Sequence, residues 1–357
     1  MGFDVQELSL QQRAAEKAPH DAEIRLACLN CRYQSICGGF WVWDDSRWCD
    51  EDCLDCPRNC CHRACWHSDA ERLGGLGFDD ITWTPWSIDW PDLIWMVGGR
   101  TGDLPEPVYI IPVDSLMDRY TLNWAQTPDL HARFSIPAAS KIGISFCFQD
   151  WLLDHFKGNE DAVADEVAKF SPDFVLPINY SAYRNFPRLS QLMSMRRRML
   201  SLKAFQDRGL RVIPDVGPIR GVDADRWADW VLREKCPAVF FTAQTMKGRD
   251  WKIEYHIQFD PLVRLRERLG PDVRFLIQGV SARRMSFFES HLGKVSFVNH
   301  AAWVKAELRI GAVGGERLRE QGLSVQQAFA LNIQKLKAML FEIRSKAISS
   351  SEGELHG

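Results

Sequence analysis

Nine of the eleven cysteines in this 357-residue chain fall between Cys28 and Cys65. They are Cys28, Cys31, Cys37, Cys49, Cys53, Cys56, Cys60, Cys61 and Cys65. A metal centre needs thiolates that converge within a few ångströms, and short spacings on turns achieve that. Cys28-x-x-Cys31 and Cys53-x-x-Cys56 are such pairs. Disulfides would suit this density in a secreted chain, whereas in a reducing compartment metal binding explains it better. Zinc would take two pairs in a tetrahedral site; iron–sulfur clusters take four cysteines each.

Three features favour iron. Nine thiols exceed the needs of one zinc site. Pro57 follows Cys56, as proline follows a ligating cysteine in ferredoxin-like runs. Tyr33, Phe40, Trp41, Trp43, Trp48 and Trp66 would form an apolar shell that limits water access and tunes a cluster's potential. The expected cofactor is therefore one or two iron–sulfur clusters of the 4Fe-4S kind, served by a redox partner, with zinc as the alternative. The expected ligands come from Cys28, Cys31, Cys37, Cys49, Cys53, Cys56, Cys60 and Cys65, and their grouping stays open. His62 and His67 lie beside them as further ligands or as exposed loop histidines.

A second set of chemical groups lies downstream. Polar residues follow several short apolar runs: Gln149 and Asp150; Asn179 and Tyr180; Asp215; Gln244; Gln278 and Gly279; Asn299 and His300. If those runs are parallel strands, these residues meet at one rim, as a substrate pocket requires. Asp150 and Asp215 are candidate nucleophiles or acid–base groups, and His300 a candidate proton shuttle. Gln149, Asn179, Tyr180, Arg184, Gln244, Gln278, Gly279 and Asn299 are candidate substrate contacts. The competing reading is that such residues only cap helices or serve turns. Tyr183, Arg184, Arg188 and the run Arg196-Arg197-Arg198 form either a positive patch for the phosphates of a nucleotide or nucleic acid, or a solvated helix face.

The elements that would position these groups are legible from residue 92 onward. Apolar runs at 93–97, 108–113, 144–148, 174–178, 211–214, 238–242, 274–277 and 295–298 predict strands. Amphipathic stretches at 160–170, 191–208, 223–235, 261–269 and 282–291 predict helices. Eight strands in alternation with helices predict a (β/α)8 TIM-barrel-like domain. Only a Gly/Pro-rich loop separates the first two strands, so the barrel is expected to be distorted or incomplete. Val325, Phe329, Ile333, Leu336 and Leu340 recur at helical spacing after Ser324, a cap for a closing helix.

The whole chain then reads as a polar segment at 1–27, a Cys-rich metal-binding module at 28–67, a Trp-rich bridge at 68–91, the α/β barrel-like domain at 92–345 and a flexible tail at 346–357. Eight of the fourteen tryptophans fall between Trp41 and Trp95. The stretch from Ile81 to Trp90 reads as an extended segment packed on the barrel, or alternatively as a stacking platform for bases. The net charge of −3 makes no global case for nucleic acid or membrane. No apolar run is long enough to span a bilayer, and the polar first residues lack a secretory core, so the expected location is the cytoplasm.

Three resemblances bear on function. Cys49-x-x-x-Cys53-x-x-Cys56 has the spacing of the radical S-adenosylmethionine signature, a family that uses a partial α/β barrel. It implies S-adenosylmethionine as a cofactor. Residues 140–285, with Ser171-Pro-Asp-Phe-Val, Tyr183-Arg-Asn-Phe-Pro, Arg196-Arg-Arg and Gly209-Leu-Arg-Val-Ile-Pro-Asp, are similar to an uncharacterised domain family of phage-associated and bacterial proteins. Ile277-Gln-Gly279 and the Gly322-Leu-Ser…Asn332-Ile region resemble the queuine tRNA-ribosyltransferase-like barrels. That likeness implies base exchange on a nucleobase or nucleic acid by a transferase with an aspartate nucleophile, here Asp150 or Asp215. A non-enzymatic iron–sulfur or zinc regulatory module is the remaining alternative.

Overall fold

The computed structural model describes residues 70–118, 123–126, 128–147, 150–182, 188–244 and 251–354, with side chains left aside at 150, 151, 154, 251–258 and 347–354. All nine clustered cysteines, the 1–27 and 28–67 segments, Gln149 and Arg184 lie outside these residues.

The described part is α/β. Seven parallel strands form one sheet: β1 (Leu93–Met96), β2 (Val108–Pro112), β3 (Lys141–Ser145), β4 (Phe174–Leu176), β5 (Ala238–Thr242), β6 (Arg274–Gln278) and β7 (Ser296–Asn299). Their order is β4-β3-β2-β1-β7-β6-β5, so the first and last strands in sequence pair in the middle. Residues 211–216 lie between the two outer strands. Val212 bridges Val175 and Asp215 bridges Phe240, both in parallel. Val175 N donates to the Arg211 carbonyl at 2.8 Å, and Phe240 N to the Pro214 carbonyl at 2.8 Å. The sheet is thereby nearly closed into a barrel. As expected, no helix stands between β1 and β2.

Helices follow the other strands: α1 (Leu130–Phe134), α2 (Asp150–Phe156), α3 (Glu160–Ala168), α4 (Arg188–Gln206), α5 (Gly221–Glu234), α6 (Trp251–Leu269), α7 (Met285–Leu292), α8 (Ala301–Glu307) and α9 (Val325–Glu354). Several elements differ from expectation: α1, α2 and α8 stand where no helix was expected. α6 begins well before Pro261, which lies inside the helix. The third strand starts at Lys141 rather than 144 because Gly143, an unpromising strand residue, gives its space to the Phe174 ring. A Cβ on Gly143 would stand 2.2 Å from that ring.

The interior follows the two-residue period of the strands. Ile94, Met96, Val108, Ile110, Cys147, Phe174, Leu176, Ile213, Ala238, Phe240, Leu276 and Val298 form one buried cluster. Trp86, Ile88 and Trp90 pack against it. The indoles of Trp83 and Trp86 both donate to the Val212 carbonyl, at 2.9 and 3.1 Å, and Trp86 stacks on Phe174 at 6.2 Å. Val212 and Phe174 lie at the starts of their strands, so the tryptophan run covers the N-terminal end of the barrel. That is packing, and these indoles are not a free stacking platform.

The outer face of β1 is covered by α9. Phe329 meets Trp95 and Trp303 edge-to-face, at 6.3 and 5.1 Å. Ser324 caps α9 as expected: its Oγ accepts from Gln327 N while Gln327 Oε1 accepts from Ser324 N. The helix continues to Glu354, into the stretch expected as tail.

By contacts the chain divides into two units, residues 1–78 with 182–197, and residues 79–181 with 198–357. Among described residues of the first unit, Arg196 donates Nε to the Leu73 carbonyl at 2.9 Å and Nη1 to the Gly77 carbonyl at 2.8 Å. The second unit holds the sheet. Among the described residues no helix is long and apolar enough to cross a membrane.

Candidate functional site

The strand direction sends Asn179, Tyr180, Asp215, Gln244, Gln278, Gly279, Asn299 and His300 to the C-terminal end of the barrel, opposite the tryptophan cover. Asp150, of which only the backbone is described, begins α2 at the same end, after β3.

Asp215 continues the inward-facing phase of Ile213. It is fully buried, and among the described residues neither carboxylate oxygen has a hydrogen-bond partner. Arg198 Nη1 stands 3.6 Å from Oδ1, an ion-pair distance but too long for a hydrogen bond. Burial pushes the carboxyl up to about 6, with the Arg198 charge pulling against that rise. Asp215 is therefore poised to gain or lose a proton near neutral pH.

Arg198 is the residue that gathers this corner. It is buried on α4, and its Nε donates to the Tyr180 carbonyl at 2.9 Å while Nη2 donates to Asn179 Oδ1 at 3.1 Å. Ser201, also buried on α4, accepts the Ile178 N–H on its Oγ at 2.9 Å and so fixes the chain just before Asn179. Asn179 is buried, and its Nδ2 has no hydrogen-bond partner among the described residues. The Tyr180 hydroxyl donates to Glu160 Oε1 at 2.5 Å.

Gln278 ends β6. It is buried, its Nε2 faces the Met96 sulfur at 3.8 Å, and its Oε1 has no hydrogen-bond partner among the described residues. The register links it to Asp215: Asp215 pairs with Phe240, Phe240 with Leu276, and Gln278 is the next inward residue after Leu276. Gly279 follows with φ +85, and a Cβ there would meet the Gln244 backbone nitrogen at 2.8 Å. The glycine is thus required for the β5 and β6 loops to approach.

Asn299 is different. Its Oδ1 accepts from Ala302 N at 2.8 Å, so it serves the first turn of α8. His300 begins that turn. The structure brings Asn179, Tyr180 and Asp215 together through Arg198, and sets Gln278 one interior layer above. The arginine run is divided: Arg196 and Arg198 are buried and bonded, so the run makes neither a continuous phosphate-binding patch nor a solvated face. Arg198 was hidden in that run. The available signal was helical spacing, since Ser194, Ser201, Leu202 and Phe205 place its position on a buried face.

Chemically, the corner offers a carboxylate with free lone pairs, an amide donor and an amide acceptor, all in a low-dielectric interior. Buried polar groups are nearly always paired, so three such side chains at one barrel end are exceptions among the described residues and single this end out as the candidate site. The described cysteines, Cys147 and Cys236, are both buried, and burial pushes the Cys236 thiol up, away from thiolate chemistry. Among the described residues no group of three or more His, Cys, Asp or Glu could hold a metal ion. No protein-family profile matches the chain, and no curated protein matches it significantly.

Proposed function

We propose that this barrel end is the active site of an enzyme acting on a nucleobase, free or within nucleic acid, by transglycosylase-like base exchange or modification. The observation that carries the reading is Asp215, a buried carboxylate whose oxygens accept no hydrogen bond from the described residues and whose proton affinity is raised toward neutrality. Keeping such a group costs stability, as nucleophiles and proton carriers at active sites characteristically do. In base exchange a carboxylate oxygen attacks the anomeric carbon. The glycosidic electron pair leaves with the outgoing base, which takes a proton, and the incoming base then displaces the carboxylate from the anomeric carbon as it gives up its ring N–H proton. Asp215 supplies the attack, Asn179 and Gln278 read the base edge, and Asp150 and His300 stand at the same end for proton transfer.

The same reading takes residues 211–216 as an eighth strand, which makes the fold a (β/α)8 barrel with its site where such barrels carry theirs. It agrees with the likeness to queuine tRNA-ribosyltransferase-like barrels. The test is incorporation of labelled free base into tRNA or DNA. Asp215→Asn is expected to abolish it; full turnover in both Asp215→Asn and Asp150→Asn overturns the proposal.

We further propose that Cys28, Cys31, Cys37, Cys49, Cys53, Cys56, Cys60 and Cys65 supply ligands for one or two iron–sulfur clusters, on the strength of their density alone. Anaerobically purified protein should be brown and carry iron. Colourless, zinc-bearing protein selects the zinc alternative. Cleavage of S-adenosylmethionine on reduction would move the chemistry to the radical class.

A further inference from the structure

The orphan groups differ in kind, and one residue sets that difference. A guanidinium has donors only. Arg198 Nη2 therefore demands the oxygen of the Asn179 amide, and the amide cannot turn over without losing that bond. Asn179 Nδ2 is left buried and without an acceptor among the described residues. A thioether is an acceptor only, so the Met96 sulfur draws Gln278 Nε2 and leaves Oε1 outstanding. Ionised Asp215 adds two more acceptor atoms. The inner end of the barrel thus presents one fixed donor group among three unfilled acceptor atoms.

We propose that Arg198 is a positioning residue that locks the Asn179 amide, so that the site selects an uncharged or cationic nitrogen heterocycle rich in N–H donors with a single acceptor opposite Asn179, and rejects oxo-rich rings and anions. This rests on the nucleobase reading and deepens it. A ligand that leaves a buried acceptor unpaired binds roughly fivefold to more than a hundredfold more weakly for each one. Asp215 and Gln278 Oε1 repel phosphate and carboxylate for the same reason.

Cytosine and uracil are suitable probes, because they share a ring and cytosine carries one more N–H hydrogen. Their binding to the full chain, with inorganic phosphate as a control, can be followed by saturation-transfer NMR. Cytosine should bind at least tenfold more tightly than uracil, and phosphate should not compete. Arg198→Met frees the amide and should bring the two affinities together. Asn179→Asp keeps an acceptor for Arg198 while removing the donor, and should weaken cytosine binding tenfold or more in protein that urea unfolding shows to be folded; it decides the matter if Arg198→Met fails to fold. Equal binding of the two bases by the native chain, or an unaltered preference in Asn179→Asp, overturns the inference and leaves the nucleobase reading standing. If neither these nor any other free base binds, the nucleobase reading falls, and the inference with it.

Discussion

A Cβ placed on Gly217 would stand 2.0 Å from Nη1 and 2.8 Å from Cζ of Arg198. The guanidinium that faces Asp215 is therefore seated on bare backbone, and its room exists only because residue 217 has no side chain. Gly217→Ala should expel the guanidinium, break its bonds to the Tyr180 carbonyl and Asn179, and cost about 2–3 kcal/mol. Urea unfolding measures the loss. Because both changes remove the same bonds, Gly217→Ala and Arg198→Met should be strongly non-additive in a double-mutant cycle; simple additivity would show that Gly217 acts elsewhere.

Asp215 makes stability depend on pH in an unusual direction. Its carboxyl binds a proton more tightly in the folded state, with the pKa raised from 3.8 to about 6. The folded state is thus favoured below the unfolded value, and that advantage is lost as pH rises from about 4 through about 6. A rise of that size corresponds to about 3 kcal/mol. Asp215→Asn mimics the protonated form, so it should stabilise the chain by roughly that amount at pH 8 and by almost nothing near pH 4, while turnover disappears. A stability gain that does not change with pH would remove Asp215 as its source.

Trp86 holds the closed end of the barrel. It donates to the Val212 carbonyl, stacks on Phe174 and meets Trp90 edge-to-face at 6.1 Å. Trp86→Ala opens a void against the interior cluster and should cost about 3 kcal/mol in denaturant unfolding. Base binding at the opposite end should keep its cytosine preference in the surviving folded protein.

Asn332 ties α9 to the loop after α8. It is fully buried; its Oδ1 accepts from Ala312 N at 2.6 Å, and its Nδ2 donates to the carbonyls of Ala302 and Ile310 at 3.1 and 3.2 Å. Asn332→Ala strips partners from three backbone groups and should cost about 3 kcal/mol. Asn332→Asp should cost more above pH 5, since a carboxylate would then face two carbonyl oxygens. Equal stability of the two variants at pH 7 would argue against the donor role of Nδ2.

Much of the barrel is legible in the chain because parallel strands buried on both faces read as short apolar runs. All eight expected runs overlap a strand or, at 211–214, the bridging segment, and their polar successors lie at the C-terminal end of the barrel. The shifted third strand shows where that reading stops. Lys141 and Gly143 look unlike strand residues, and only the Phe174 ring from the neighbouring strand and the Lys141–Asp173 ion pair at 2.9 Å explain their place. Asn299 could not be separated from Asn179 by type or position; one caps a helix and the other has an idle amide nitrogen.

By itself the sequence determined the alternation of strands and helices, the cap at Ser324, and the set of polar groups delivered to one end of the barrel. These follow from burial periodicity and local hydrogen bonding, which act over a few residues. Tertiary structure alone decided that Arg198 turns inward to serve Tyr180 and Asn179, that Asp215 loses its water without gaining a donor, and that the tryptophans cover the opposite end. Those outcomes depend on which groups meet across long stretches of chain, and on how far each is withdrawn from solvent, and neither is written in the identity of a residue's neighbours in sequence.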